Sequence, residues 1–89
     1  MKKIVIYSQD GCPYCSELKE SLINDGKSFT VKDIEKYESE WELVVERTGN
    51  EYVPVACVID TKTKESIFLA PDRDWDTVVE CYEKLKKVL

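Results

Sequence analysis

Histidine is absent from the 89 residues. That removes His-assisted nucleophiles, imidazole acid–base catalysis and mixed Cys/His zinc sites together. No apolar run approaches the ~20 residues that cross a bilayer, so no membrane partner is expected. Basic residues are the minority, 13 against 18 acidic ones, for a net charge of −5. Such a surface repels phosphate backbones, so no nucleic acid is expected as a partner. Glycine and proline number three each. No linker, repeat or low-complexity segment interrupts the chain, and one domain over residues 1–89 is expected. The start, Met1-Lys2-Lys3-Ile4-Val5-Ile6-Tyr7, turns polar at Ser8-Gln9-Asp10. Its apolar stretch is too short for a secretory signal. A cytoplasmic protein is expected, in a compartment that keeps thiols reduced.

What is present is a chain that is 43% hydrophobic, enough for a core, with four cysteines. Two of these stand close, in Gly11-Cys12-Pro13-Tyr14-Cys15-Ser16. Cys57 and Cys81 are isolated. In a reducing compartment a close pair points to redox chemistry or metal binding rather than a structural bridge.

Hydrophobic periodicity places the pair. Lys2–Tyr7 is β-branched and reads as a buried strand. Asp10-Gly11 is a turn. Pro13 suits a first helical turn, where its missing N–H would have no partner. Leu18, Leu22 and Ile23 follow at helical spacing, and Asn24-Asp25-Gly26 ends the helix with Gly26 as a left-handed cap. Phe29–Ile34 alternates as a second strand. Trp41, Val44, Val45 and Thr48 mark a second helix over Ser39–Thr48, with Ser39 as N-cap and Glu42 as its capping-box partner. Gly49-Asn50 stops it. Val55–Ile59 is a continuous apolar run after Val53-Pro54, as in a central strand. Asp60–Lys64 reads as a turn and Ser66–Leu69 as a returning strand. Trp75, Val78, Val79, Tyr82, Leu85 and Leu89 mark a last helix, with Asp72, Asp74 and Asp76 at its start and Lys84, Lys86 and Lys87 at its end. The order β-α-β-α-β-β-α implies an α/β fold: a four-stranded mixed sheet with helices on both faces.

Within this order Cys12 sits just before the first helix and Cys15 one turn in. Unsatisfied N–H groups at the helix start point toward the Cys12 sulfur and favour its thiolate. Free cysteine ionises near pH 8.5, and such settings lower that to roughly 3.5–7.5. The thiolate is the nucleophile in disulfide exchange. Cys12, nearer solvent, is therefore the expected attacking thiol and Cys15 the resolving one. A structural zinc site would need two more ligands, and Cys57 and Cys81 form no second close pair. Two ordinary core thiols are the other alternative, but Gly11, Pro13 and Ser16 around the pair are not core-like. Cys57 reads as a small core residue, and Cys81 as a partly exposed thiol beside the apolar stripe. Trp41 and Trp75 are expected to anchor their helices in the core.

Cys12-Pro13-Tyr14-Cys15 after the strand Ile4–Ser8 resembles the dithiol site of glutaredoxins, members of the thioredoxin superfamily. The resemblance covers nearly the whole chain. Its second marker is Val53-Pro54 before an apolar strand, which in that family holds a cis peptide. The resemblance implies a thioredoxin-like fold and a thiol–disulfide oxidoreductase acting through Cys12 and Cys15. It implies glutathione as co-substrate, with no metal and no tightly bound cofactor. The implied glutathione contacts are Tyr14, Val53 and Pro54, with Asp72, Arg73 and Asp74 near the γ-glutamyl end. Disulfide-containing proteins such as ribonucleotide reductase would be partners of a monomer. Three positions depart from the family pattern. Gln9 stands where many members have lysine, Tyr52 where threonine precedes the valine–proline pair, and Ala70-Pro71 where two glycines form the turn before the last helix. Two alternatives follow: a thioredoxin-like hydrogen donor recharged by a reductase, and a glutathione-dependent [2Fe–2S] cluster-binding module. The stiff Pro13 argues against the second.

Overall fold

The computed structural model describes residues 2–89. Four strands and three helices follow in the order β1 (Lys2–Ser8), α1 (Pro13–Asn24), β2 (Thr30–Asp33), α2 (Glu38–Thr48), β3 (Val55–Asp60), β4 (Ser66–Leu69) and α3 (Val78–Val88). The sheet order is β2-β1-β3-β4. β1 and β2 run parallel, with Ile6 opposite Val31, because helix α1 crosses between them. β3 runs antiparallel to both β1 and β4, with Ala56 opposite Ile6 on one side and Leu69 on the other. This is the expected four-stranded mixed sheet.

Alternation along the two central strands divides the core. Ile4, Ile6, Ala56 and Val58 face α1 and α3, where Leu18, Leu22, Val78, Cys81 and Leu85 complete one cluster. Val5, Tyr7, Val55 and Cys57 face the other way, against Val44 and Trp41 of α2. Both faces are covered, which is why β3 reads as a continuous apolar run.

Several local expectations are corrected. α2 starts at Glu38 with Tyr37 as N-cap, and no side chain caps it; Ser39 lies inside the helix. The chain already turns at Asp33, whose carbonyl accepts from the Tyr37 N–H at 3.0 Å. Glu38 and Glu40 in the first turn offset the helix dipole in place of a cap. α3 starts three residues after Trp75. Its N-cap is Thr77, whose Oγ1 accepts from the Glu80 N–H at 3.2 Å. Trp75 still anchors the core, 4% exposed, but from the preceding turn, with its Nε1 donating to the Leu69 carbonyl at 3.1 Å. Cys81 is fully buried rather than partly exposed, and Ile23 and Val79 point to solvent.

Candidate active site

The site forms at the C-terminal end of β1, where the chain must reverse to start α1. Gly11 takes a left-handed φ of +78°, which a side chain there would strain. Cys12 is then extended (φ −94°, ψ 107°) as the N-cap of α1, and Pro13 fills the first helical position. An N-cap side chain normally accepts from the third helical N–H. Here the acceptor is sulfur: the Cys15 N–H lies 3.2 Å from Cys12 Sγ. The two cysteines form a disulfide with their Cα atoms 5.3 Å apart. Cys12 is half-buried and Cys15 is 1% exposed.

The second part of the site is the loop between α2 and β3. The Val53–Pro54 peptide is cis. The Val53 carbonyl oxygen lies 3.9 Å from Cys12 Sγ, and Pro54 is buried beneath it. Two exposed tyrosines, Tyr14 on α1 and Tyr52 on the loop, add apolar surface to the segments that carry Cys12 and Val53.

The turn before α3 is held by its own side chains. The Asp74 carboxylate accepts from the Ala70 N–H and from Arg73 Nε, both at 2.8 Å. The Arg73 guanidinium also donates to the carbonyls of Phe68 at 2.7 Å and Arg47 at 3.4 Å. Lys84 Nζ caps the Asp74 carbonyl. Asp72 is exposed, with a φ of +63°, and its N–H donates to the Trp75 carbonyl. Of the residues singled out from the sequence, Cys12, Cys15, Val53 and Pro54 therefore come together. The Asp74 side chain is engaged within its own turn, and that of Arg73 by Asp74 and by carbonyls of β4 and α2. Gln9 donates to Glu35 at 3.3 Å.

Burial sets the remaining thiols apart. It pushes Cys57 up to about 11 and Cys81 up to about 12. Neither is a ready nucleophile at neutral pH. Among the described residues, no three Cys, Asp or Glu side chains converge as metal ligands, and no helix is long and apolar enough to cross a membrane. A cavity of about 210 Å³, lined by Glu40, Leu43, Arg47, Ser66 and Phe68, belongs to α2 and β4 and includes neither active-site sulfur.

One residue of the site went unread in the sequence. Asn50 appeared there only as part of a helix stop. In the structure its amide joins the Val53 loop to the turn before α3: Nδ2 donates to the Pro71 carbonyl at 2.9 Å and Oδ1 accepts from the Tyr52 N–H at 3.2 Å. The available signal was the habit of asparagine to bond a backbone group two residues on.

A strand feeding a helix whose N-cap cysteine is bonded to a buried second cysteine, beside a cis-proline loop, defines a thioredoxin-type dithiol site. The family model for glutaredoxin matches residues 4–62, and the chain belongs to the glutaredoxin family. Among solved structures, the thioredoxin-like protein BC3987 is similar, with 23% identity and a TM-score of 0.63. That match covers 98% of this chain and 100% of that one. A glutaredoxin from Brucella melitensis is similar at 20% identity and a TM-score of 0.59, with 96% of this chain and 79% of that one covered. No curated protein matches the sequence. Family and disulfide together make the chain a thiol–disulfide oxidoreductase.

Proposed function

We propose that the protein reduces protein disulfides or glutathione mixed disulfides, with Cys12 as attacking thiol, Cys15 as resolving thiol and glutathione as reductant. The observation that carries the roles is the difference in access. Cys12 is half-buried at the helix start, whereas Cys15 is 1% exposed one turn further in. A substrate sulfur can reach the first and not the second.

The Cys12 thiolate attacks one sulfur of the substrate disulfide. A Cys12–substrate bond forms, and the other substrate sulfur leaves as a thiolate and takes a proton from water. The Cys15 thiolate then attacks Cys12 Sγ, the remaining substrate thiol departs, and the Cys12–Cys15 disulfide is left. Two glutathione thiols restore the dithiol and leave as one glutathione disulfide. The family and the Val53 backbone beside Cys12 support glutathione, which would lie along that backbone with Tyr14 shaping the groove. Asp72, exposed on its turn, is the group free to meet the γ-glutamyl ammonium. The enzyme would work as a monomer in the cytoplasm, on protein partners such as ribonucleotide reductase, with no resident metal or cofactor.

A second reading, recharging by a reductase, is favoured by one specific observation. Arg73 and Asp74 are tied to each other and to the turn, rather than left open for a small thiol. The experiment that separates the two is reduction of the oxidised protein, first by glutathione alone and then by a thioredoxin reductase with NADPH. The proposal requires reduction by glutathione at millimolar concentration. Reduction by the reductase alone overturns it in favour of the second reading.

A further inference from the structure

Residues 50–54 belong to no helix or strand, yet Val53 must stand beside Cys12. The Thr48 hydroxyl, 3.3 Å from the Asn50 carbonyl, donates its one proton to the Val44 carbonyl at 2.8 Å, so two hydrogen bonds of the Asn50 side chain are positioned to hold this segment. Its Oδ1 accepts from the Tyr52 N–H, which bends the chain toward Val53. Its Nδ2 donates to the Pro71 carbonyl, 21 residues away. Pro71 is a firm anchor. The turn that carries it is closed by the Asp74 N–H on the Ala70 carbonyl at 2.9 Å and by the Asp74 carboxylate on the Ala70 N–H. Arg73 ties the same turn to the Arg47 carbonyl on α2.

We infer that Asn50 is a positioning residue, which fastens the Val53 backbone beside Cys12 to the turn before α3. This rests on the reading of Cys12 as the attacking thiol. A well-placed Val53 presents a fixed backbone edge to the substrate. Loss of the tie weakens substrate binding more than turnover.

The test compares Asn50→Asp and Asn50→Ala with the parent protein. Aspartate keeps an acceptor for the Tyr52 N–H but has no donor for the Pro71 carbonyl, so it isolates the long-range bond. KM for a protein disulfide is expected to rise about 2- to 3-fold in both variants, the size of one weak hydrogen bond, and by a larger factor than kcat falls. An Asn50→Asp protein with the parental KM overturns the inference, while the essential role of Cys12 stands or falls by its own serine variant. Should neither variant fold, exchange of the Asn50 side-chain amide protons in the parent decides. Protection in both redox states supports the tie, and exchange at the free-amide rate overturns it.

Discussion

The backbone N–H of Cys15 points at the sulfur of Cys12 across 3.2 Å. A donor aimed at sulfur stabilises the thiolate more than the thiol, and it comes from the first turn of a helix whose dipole acts in the same sense. The other two thiols sit in apolar surroundings that act the opposite way. Selective alkylation follows. At pH 7, iodoacetamide is expected to modify Cys12 of the reduced protein first, with Cys57 and Cys81 modified only after unfolding. Peptide mapping by mass spectrometry checks the order. Labelling of Cys57 or Cys81 ahead of Cys12 would contradict it.

Cys81 also makes an alkaline prediction. Burial raises it from the ordinary 9.0 to about 12. The folded state thus holds a proton that the unfolded chain releases. The stability contributed by the neutral thiol is complete below pH 9 and is lost as pH rises from 9 toward 12, at up to about 1.4 kcal/mol per pH unit. Urea titrations of parent and Cys81→Ala between pH 8 and 10.5 are expected to converge as pH rises. Parallel stability curves would show that the thiol ionises as freely folded as unfolded.

Glu40 ties α2 to the sheet. Its carboxylate accepts from Tyr7 Oη at 2.6 Å and Lys32 Nζ at 2.7 Å. Lys32 first, and Tyr7 second, hold Glu40 below the ordinary carboxyl value. Its contribution is therefore present above pH 4.5 and lost as pH falls through the folded value. Glu40→Ala leaves the Tyr7 hydroxyl without its acceptor, at a cost of about 1–3 kcal/mol at pH 7. The difference from the parent should shrink at pH 3. A Glu40→Ala protein as stable as the parent at pH 7 would show that the network contributes nothing.

The start of α3 rests on Thr77. Thr77→Ala removes the acceptor of the Glu80 N–H and should cost about 1 kcal/mol. Ser39→Ala, inside α2 with no capping role, should change stability by less than about 0.5 kcal/mol. Thermal melts of the two variants distinguish the observed caps from those suggested by pattern alone.

Element order, the mixed sheet and the dithiol were legible in the sequence because each rested on a strong local signal: the β-branched run of β1, the Pro13 helix start, the Val55–Ile59 run. The starts of α2 and α3 were not. Ser39 with Glu42 fits a capping pattern, yet α2 begins before it, because Tyr7 and Lys32 pin Glu40 in its first turn. Trp75 continues the apolar stripe of α3, but Thr77-Val78-Val79-Glu80 carries the cap, and Trp75 packs from the turn. Asn50 and Pro71 are 21 residues apart, and nothing in either segment alone predicts their bond. Periodicity reports the face a residue buries; contacts between loops depend on how the finished layers bring them together.

The central claim is the division of labour between Cys12 and Cys15. The most direct measurement is intact-mass analysis of Cys12→Ser and Cys15→Ser after exposure to glutathione disulfide. Cys15→Ser is expected to gain one glutathionyl group, mapped to Cys12, and to retain activity on glutathione mixed disulfides while losing it on protein disulfides. Cys12→Ser is expected to gain none and to be inactive on both. A stable adduct on Cys15 in the Cys12→Ser protein, with activity preserved, would contradict the account.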